Sequence, residues 1–127
     1  MEKYFANYNQ SLILKELGFN EECLYYFNSK GILSTKTDEY ELYLIRNDKW
    51  ISPACSAPLK SQVFEFFRAY GLTAVIEDYL DDYEVKIVEW TLSDDRIVHE
   101  FLNRFDSWEE AESACIDKLI EIVKLKK

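Results

Sequence analysis

The chain has 127 residues, 48% of them apolar and 31% charged, and a formal net charge of −9. That length suits one domain that buries roughly two-thirds of its unfolded surface, and the aromatic residues (three Trp, nine Tyr, eight Phe) fill a core while three Gly and two Pro leave little for disordered linkers. No apolar run approaches the ~20 residues of a membrane span and no basic start precedes an apolar segment, so a soluble, cytoplasmic chain is expected.

Asn7 and Gln10 resemble a capping pair, Leu12, Ile13, Leu14 and Leu17 supply apolar positions, and Gly18 fits a helix stop, which predicts a helix over 7–17. Glu22–Asn28 reads as a strand, followed by a turn over Asn28–Gly31 into Ile32 and Leu33. Residues 40–46 and 49–52 suit a hairpin at Asn47-Asp48, a pair that tolerates positive φ, with Pro53 ending it. Pro58 at N1 and Gly71 at C′ bound a second helix. Its buried stripe is Leu59, Val63, Phe66, Phe67 and Tyr70, and Ser61, Glu65 and Arg68 face out.

Three strands follow at about 72–79, 83–92 and 95–103, with turns near Asp81-Asp82 and at 93–95. In the middle strand Tyr83, Val85 and Ile87 share one side, but Val88, Trp90 and Leu92 share the other. The apolar side therefore switches near Ile87–Val88, through a bulge or because the second half is covered on both faces. Trp90 is expected to be buried; exposed, it would be a contact residue. Asp78, Asp81, Asp82 and Glu84 lack the ligand spacing and glycine of a calcium loop and read as a solvated turn.

Ser107 and Glu110 form the capping-box pattern of a closing helix. Trp108, Ala111, Cys115, Leu119 and Ile122 make its apolar stripe, widened by Ile116, Ile120 and Val123. Glu109, Glu110 and Glu112 occupy the helix end where a phosphate would otherwise bind. Glu112 breaks the pattern by lying inside the apolar sector. Such a carboxylate either reaches backbone amides or a nearby Lys or Arg, or is buried with a raised pKa as an acid or base; no second catalytic group can be named beside it.

The fold class these elements imply is α+β, an antiparallel sheet with helices on one face, in one domain made of 1–57 and an α-β-β-β-α unit at 58–127. Cys23, Cys55 and Cys115 form no metal-ligand spacing and His99 is the only histidine, so neither metal nor cofactor is expected and the thiols read as reduced core residues. No nucleophile elbow or phosphate loop is present. His99 alternates with Ile97 and Phe101 on one strand face and reads as a core or boundary residue. Residues 72–123 hold fifteen acids against Lys86, Arg96, Arg104 and Lys118, a balance of −11. That field repels nucleic-acid phosphates and favours a basic partner.

With Pro58, Gly71, the strand Tyr83–Val88 and Ser107 in place, residues 58–127 resemble the α-β-β-β-α order of double-stranded-RNA-binding domains. That family implies lysines after the serine, where this chain has Trp108-Glu109-Glu110-Ala111-Glu112, so RNA binding is not carried over. The segments Leu14–Phe19, Ala57–Arg68 and Trp108–Val123 resemble, in order, those of small uncharacterised phage and prophage proteins of gut anaerobes. That resemblance implies a mobile-element accessory protein acting in the host cytoplasm, with no known activity. The function expected is a non-catalytic protein-binding module for a host or phage protein with a basic surface. Asp78, Asp81, Asp82, Glu84, Trp90, Glu109 and Glu112 are its contact residues. The alternatives are a diverged RNA-binding-like domain and an acidic DNA mimic that inhibits a host protein. Removal of the Ser107 hydroxyl by Ser107→Ala is predicted to cost roughly 0.5–2 kcal/mol, the range for a helix N-cap, read as a lower urea midpoint.

Overall fold

The computed structural model describes residues 2–35, 45–47, 55–80, 82–90 and 96–125, with the side chains of 2 and 96–103 outside the description. The fold is α+β, and the chain divides into two compact units, Met1–Gln62 and Val63–Lys127. Among the described residues each unit holds an antiparallel three-stranded sheet.

In the first unit, a 3-10 turn at Glu2–Tyr4 leads to α1 (Tyr8–Glu16). The helix starts where the sequence predicts, because both halves of a capping box form. The Gln10 amide donates to Asn7 Oδ1 (2.8 Å), and the Asn7 amide donates to Gln10 Oε1 (3.0 Å). It stops at Gly18, whose φ of 96° few other residues tolerate. Strands β1 (Tyr25–Phe27), β2 (Leu33–Thr35) and β3 (Cys55–Ala57) are ordered β2-β1-β3. The β1–β2 turn is closed by the Asn28 side chain, which accepts from the amides of Lys30 (2.9 Å) and Ile32 (3.1 Å). Asn47 ties the exit of α1 to β3: its amide donates to the Phe19 carbonyl (2.8 Å) and its oxygen accepts from the Ser56 amide (2.9 Å). Phe5, Phe27, Cys55 and Ala57 form one buried cluster, with Phe5 edge-on to Tyr25 at 5.0 Å.

Three expectations change here. The strand expected over Glu22–Asn28 shrinks to Tyr25–Phe27, with a separate bridge from Cys23 to Ile45. Residues 55–57 form an additional strand. The second helix, α2 (Lys60–Arg68), begins after Pro58 and not at it. The Pro58 carbonyl accepts from the Ala6 amide (3.1 Å) and Leu59 bridges Phe5, so pairing holds this stretch extended. Leu59 is consequently 41% exposed and not part of a buried stripe, and Tyr70 is exposed as well. Apart from Ile45 and Arg46, the hairpin expected at 40–46 and 49–52 lies outside the described residues.

The second unit contains β4 (Leu72–Asp78), β5 (Tyr83–Trp90), β6 (Arg96–Phe105) and α3 (Trp108–Leu125). The order α2-β4-β5-β6-α3 is the one expected for the C-terminal half. β4 and β5 pair without interruption from Leu72↔Glu89 to Asp78↔Tyr83. Opposite β6 the register jumps, from Glu84↔Arg104 to Lys86↔Glu100. The extra residues therefore lie in β6, opposite Val85, and not at Ile87–Val88 of β5. Ile87, Val88 and Glu89 are all buried, so that part of β5 is covered on both faces. Trp90 at the strand end is 54% exposed, against the expectation of burial.

α3 begins at Ser107, whose hydroxyl accepts from the Glu110 amide (3.2 Å). It buries Ala111, Cys115, Ile116, Leu119, Ile120, Ile122 and Val123, the stripe that the periodicity predicts except for Trp108, which is 44% exposed.

Gly71 and Gly18 separate two costs of the left-handed region. Gly71 has φ 79°, and an added Cβ would stand 3.1 Å from the Trp90 carbonyl; Gly18 would meet nothing within 4 Å. Gly18→Ala is predicted to lose about 1–2 kcal/mol from backbone conformation alone. Gly71→Ala is predicted to lose more, because a backbone oxygen of the sheet must also move. Chemical denaturation of the two variants side by side checks that order.

Candidate partner-binding site

The contact residues expected from sequence separate into three places. Asp78, Asp82 and Glu84 surround the β4–β5 turn, Trp90 stands at the far end of β5, and Glu109 and Glu112 lie on α3; Asp81 is outside the described residues. The Tyr83 ring meets Trp108 edge-on at 5.8 Å. That contact sets the start of β5 against the head of α3, so the first and third groups share one end of the unit and Trp90 does not.

The turn group is largely neutralised within the chain. Arg104 reaches Asp82 (3.1 Å) with one guanidinium nitrogen and Glu84 (3.4 Å) with the other, as the cross-strand register allows. These carboxylates, Asp82 first, push the Arg104 pKa further up. Lys86 stands 3.9 Å from Glu77. The Tyr79 hydroxyl donates to Glu77 (2.8 Å), and this bond, with the charges of Glu77 and Glu84, pushes Tyr79 up to about 12. Such exposed pairs contribute little stability each, but they leave Asp82 and Glu84 engaged. Asp78 is exposed.

The head of α3 is different. Asp106, Trp108, Glu109 and Glu110 are all exposed. Beside them is a cavity of about 170 Å³ lined by Phe64, Arg68, Ala74, Ile76, Trp108 and Glu112. Its walls follow from periodicity. Phe64 and Arg68 are four apart on α2, Trp108 and Glu112 four apart on α3, and Ala74 and Ile76 two apart on β4, so each pair shares a face. Glu112 is half-buried, as its place in the apolar sector implies. Its charge reaches Cys115, whose thiol is pushed up to about 12 by burial first and by Glu112 second. Sequence reasoning missed Arg68 and Trp108 as lining residues; the four-residue spacings were the available signal.

The first unit has an apolar cavity of about 270 Å³ against Phe5, Cys23, Leu24, Tyr25, Leu59 and Gln62. The polar atoms of Gln62 there are occupied, accepting from the Leu59 amide (2.9 Å) and donating to the Glu22 carbonyl (3.0 Å). Burial pushes Cys23 and Cys55 up to about 11. His99 in β6 pairs with Ile87 of β5, and its side chain lies outside the description. Among the described residues no group of three His, Cys, Asp or Glu could hold a metal ion, and no helix is long and apolar enough to cross a membrane.

No protein-family model matches the chain, and no curated protein or solved structure does.

The three raised thiols give a pH prediction. Their ordinary value is 9.0 and the folded values are about 11, 11 and 12. The unfolded chain loses these protons first, so the folded state is favoured fully below pH 9 and loses that advantage as pH rises toward 11–12. Urea midpoints are expected to fall across that window, and replacement of Cys115 by Ala is expected to flatten the fall. At neutral pH a thiol reagent is expected to react slowly with the native chain and with all three cysteines once urea unfolds it.

Proposed function

We propose that the chain is a non-catalytic protein-binding module whose second unit receives a basic partner at the head of α3. The observation that carries this reading is an exposed tryptophan, Trp108, set among exposed Asp106, Glu109 and Glu110 beside a cavity that contains Glu112. Aromatic side chains with one open face are common anchors at interfaces. Charge supports the same partner: Val63–Lys127 contains sixteen acids and eight bases, net −8, whereas Met1–Gln62 contains eight acids and seven bases, net −1. A field of that sign raises the encounter rate with a cationic surface. The resemblance to phage and prophage proteins supports a host or phage protein as the partner, met in the host cytoplasm.

The α2-β4-β5-β6-α3 order favours a second reading, a diverged double-stranded-RNA-binding-like domain. Glu109 and Glu110 at the head of α3 oppose it, since that is where phosphates would have to sit.

Two measurements test these readings. Partners recovered on the immobilised chain at low salt are expected to be basic proteins that dissociate as salt rises and are lost with the double variant Glu109→Lys/Glu110→Lys. Recovery unaffected by both salt and charge reversal would sink the first reading. In a mobility-shift titration with short duplex RNA at low salt, no complex is expected at micromolar protein, where phosphate contacts are strongest; a shift would favour the second.

A further inference from the structure

We propose that the first unit carries a binding site for a small uncharged apolar molecule of one or two rings, in the cavity lined by Phe5, Cys23, Leu24, Tyr25, Leu59 and Gln62. The site lies within Met1–Gln62 and is independent of the partner reading above.

The space follows from the pairing of short strands. Ala57 on β3 stands opposite Tyr25 on β1, and its small side chain leaves room that the edge-on rings of Phe5 and Tyr25 border without filling. Leu24 and Leu59 continue the apolar lining, and both remain exposed. Close-packed proteins leave few hollows larger than a water molecule, and an apolar hollow of about 150 Å³ already takes benzene. At about 270 Å³ this one suits a single substituted ring or a fused pair.

The polar groups around the cavity say what does not belong there. The Cys23 amide donates to the Ile45 carbonyl (2.8 Å) and its carbonyl accepts from the Ile45 amide (2.7 Å). Gln62 is held by the Leu59 amide and the Glu22 carbonyl, and the Cys23 thiol lies 3.5 Å from the Glu21 carbonyl and 3.9 Å from Gln62 Oε1. An occupant with amide groups, a peptide segment above all, has to break one of these bonds or bury its own donors unpaired. Water needs two or more polar partners to be held in such a place. Among the described residues of the lining only Glu22 is charged, and it is exposed. An anion meets its field, and a charge of either sign gives up hydration against apolar walls. An uncharged ring gains contact with Phe5, Tyr25, Leu24 and Leu59 and loses nothing polar.

The test is a carbon–proton NMR titration of the full chain, following the methyl signals of Ala57, Leu24 and Leu59, with Leu125 of α3 as an exposed apolar control. The probes share one ring system: indole, indole-3-acetate, which adds a carboxylate, and N-acetyl-tryptophanamide, which adds two peptide groups. Indole is expected to shift the three lining residues along one saturation curve, with half-saturation on the order of millimolar or below for so few atoms. Leu125 is expected to stay nearly still. The double variant Leu24→Asn/Leu59→Asn is expected to weaken indole binding roughly fivefold, read at Ala57. Both side chains are exposed, and the comparison of probes on the unaltered chain decides the matter even if the variant loses its dispersed spectrum. Equal binding of indole-3-acetate overturns the uncharged class, and equal or tighter binding of N-acetyl-tryptophanamide makes the cavity a seat for a peptide side chain instead. A shift of Leu125 as large as that of the lining, or no saturable response at several millimolar indole, also overturns the proposal.

Discussion

The second unit depends on the close seating of α3 on its sheet. Ala111 and Cys115, both fully buried, meet Val85 at the middle of β5. Small side chains at that point let the helix backbone approach, and the larger Phe64, Ile76, Tyr83 and Phe105 close around the contact. Burial of this kind contributes about 25 cal/mol per Å² of apolar surface removed from water. Cys115 belongs to the same packing, and its raised thiol pKa is a consequence of it.

The candidate site is a by-product of that packing at one edge. Where α3 begins, Ala74 is the small residue on β4, and the larger Phe64 and Trp108 stand around it without filling the space. The hollow that results is bounded by a half-buried carboxylate and an exposed guanidinium. The same end of the unit holds the Arg104–Asp82 and Arg104–Glu84 pairs, which bind neighbouring carboxylates into the chain's own network. Acidic composition alone therefore does not locate a surface for a partner.

The first unit is organised by polar side chains acting on backbone groups. Asn7, Asn28, Asn47 and Gln62 each satisfy amides or carbonyls that short strands and helix ends leave open. The three strands among its described residues have three residues each, so these bonds join segments that ladder pairing alone would hold weakly.

Local signals were legible in the sequence. The caps at Asn7 and Ser107, the stops at Gly18 and Gly71, the α+β class and the buried face of α3 all follow from residues within a turn or two of each other, where propensity and periodicity act. Four features were decided only by tertiary structure. Cys55-Ser56-Ala57 became a strand because β1 lies beside it, a non-local pairing that three small residues do not announce. Pro58 stayed extended because Ala6 and Phe5 hold its surroundings. Trp90 remained exposed because it ends its strand, and Arg68, Trp108 and Glu112 came together because two helices and a strand converge there. A sequence specifies which faces of its elements are apolar, whereas which faces meet, and where they leave a gap, depends on contacts between residues far apart along the chain.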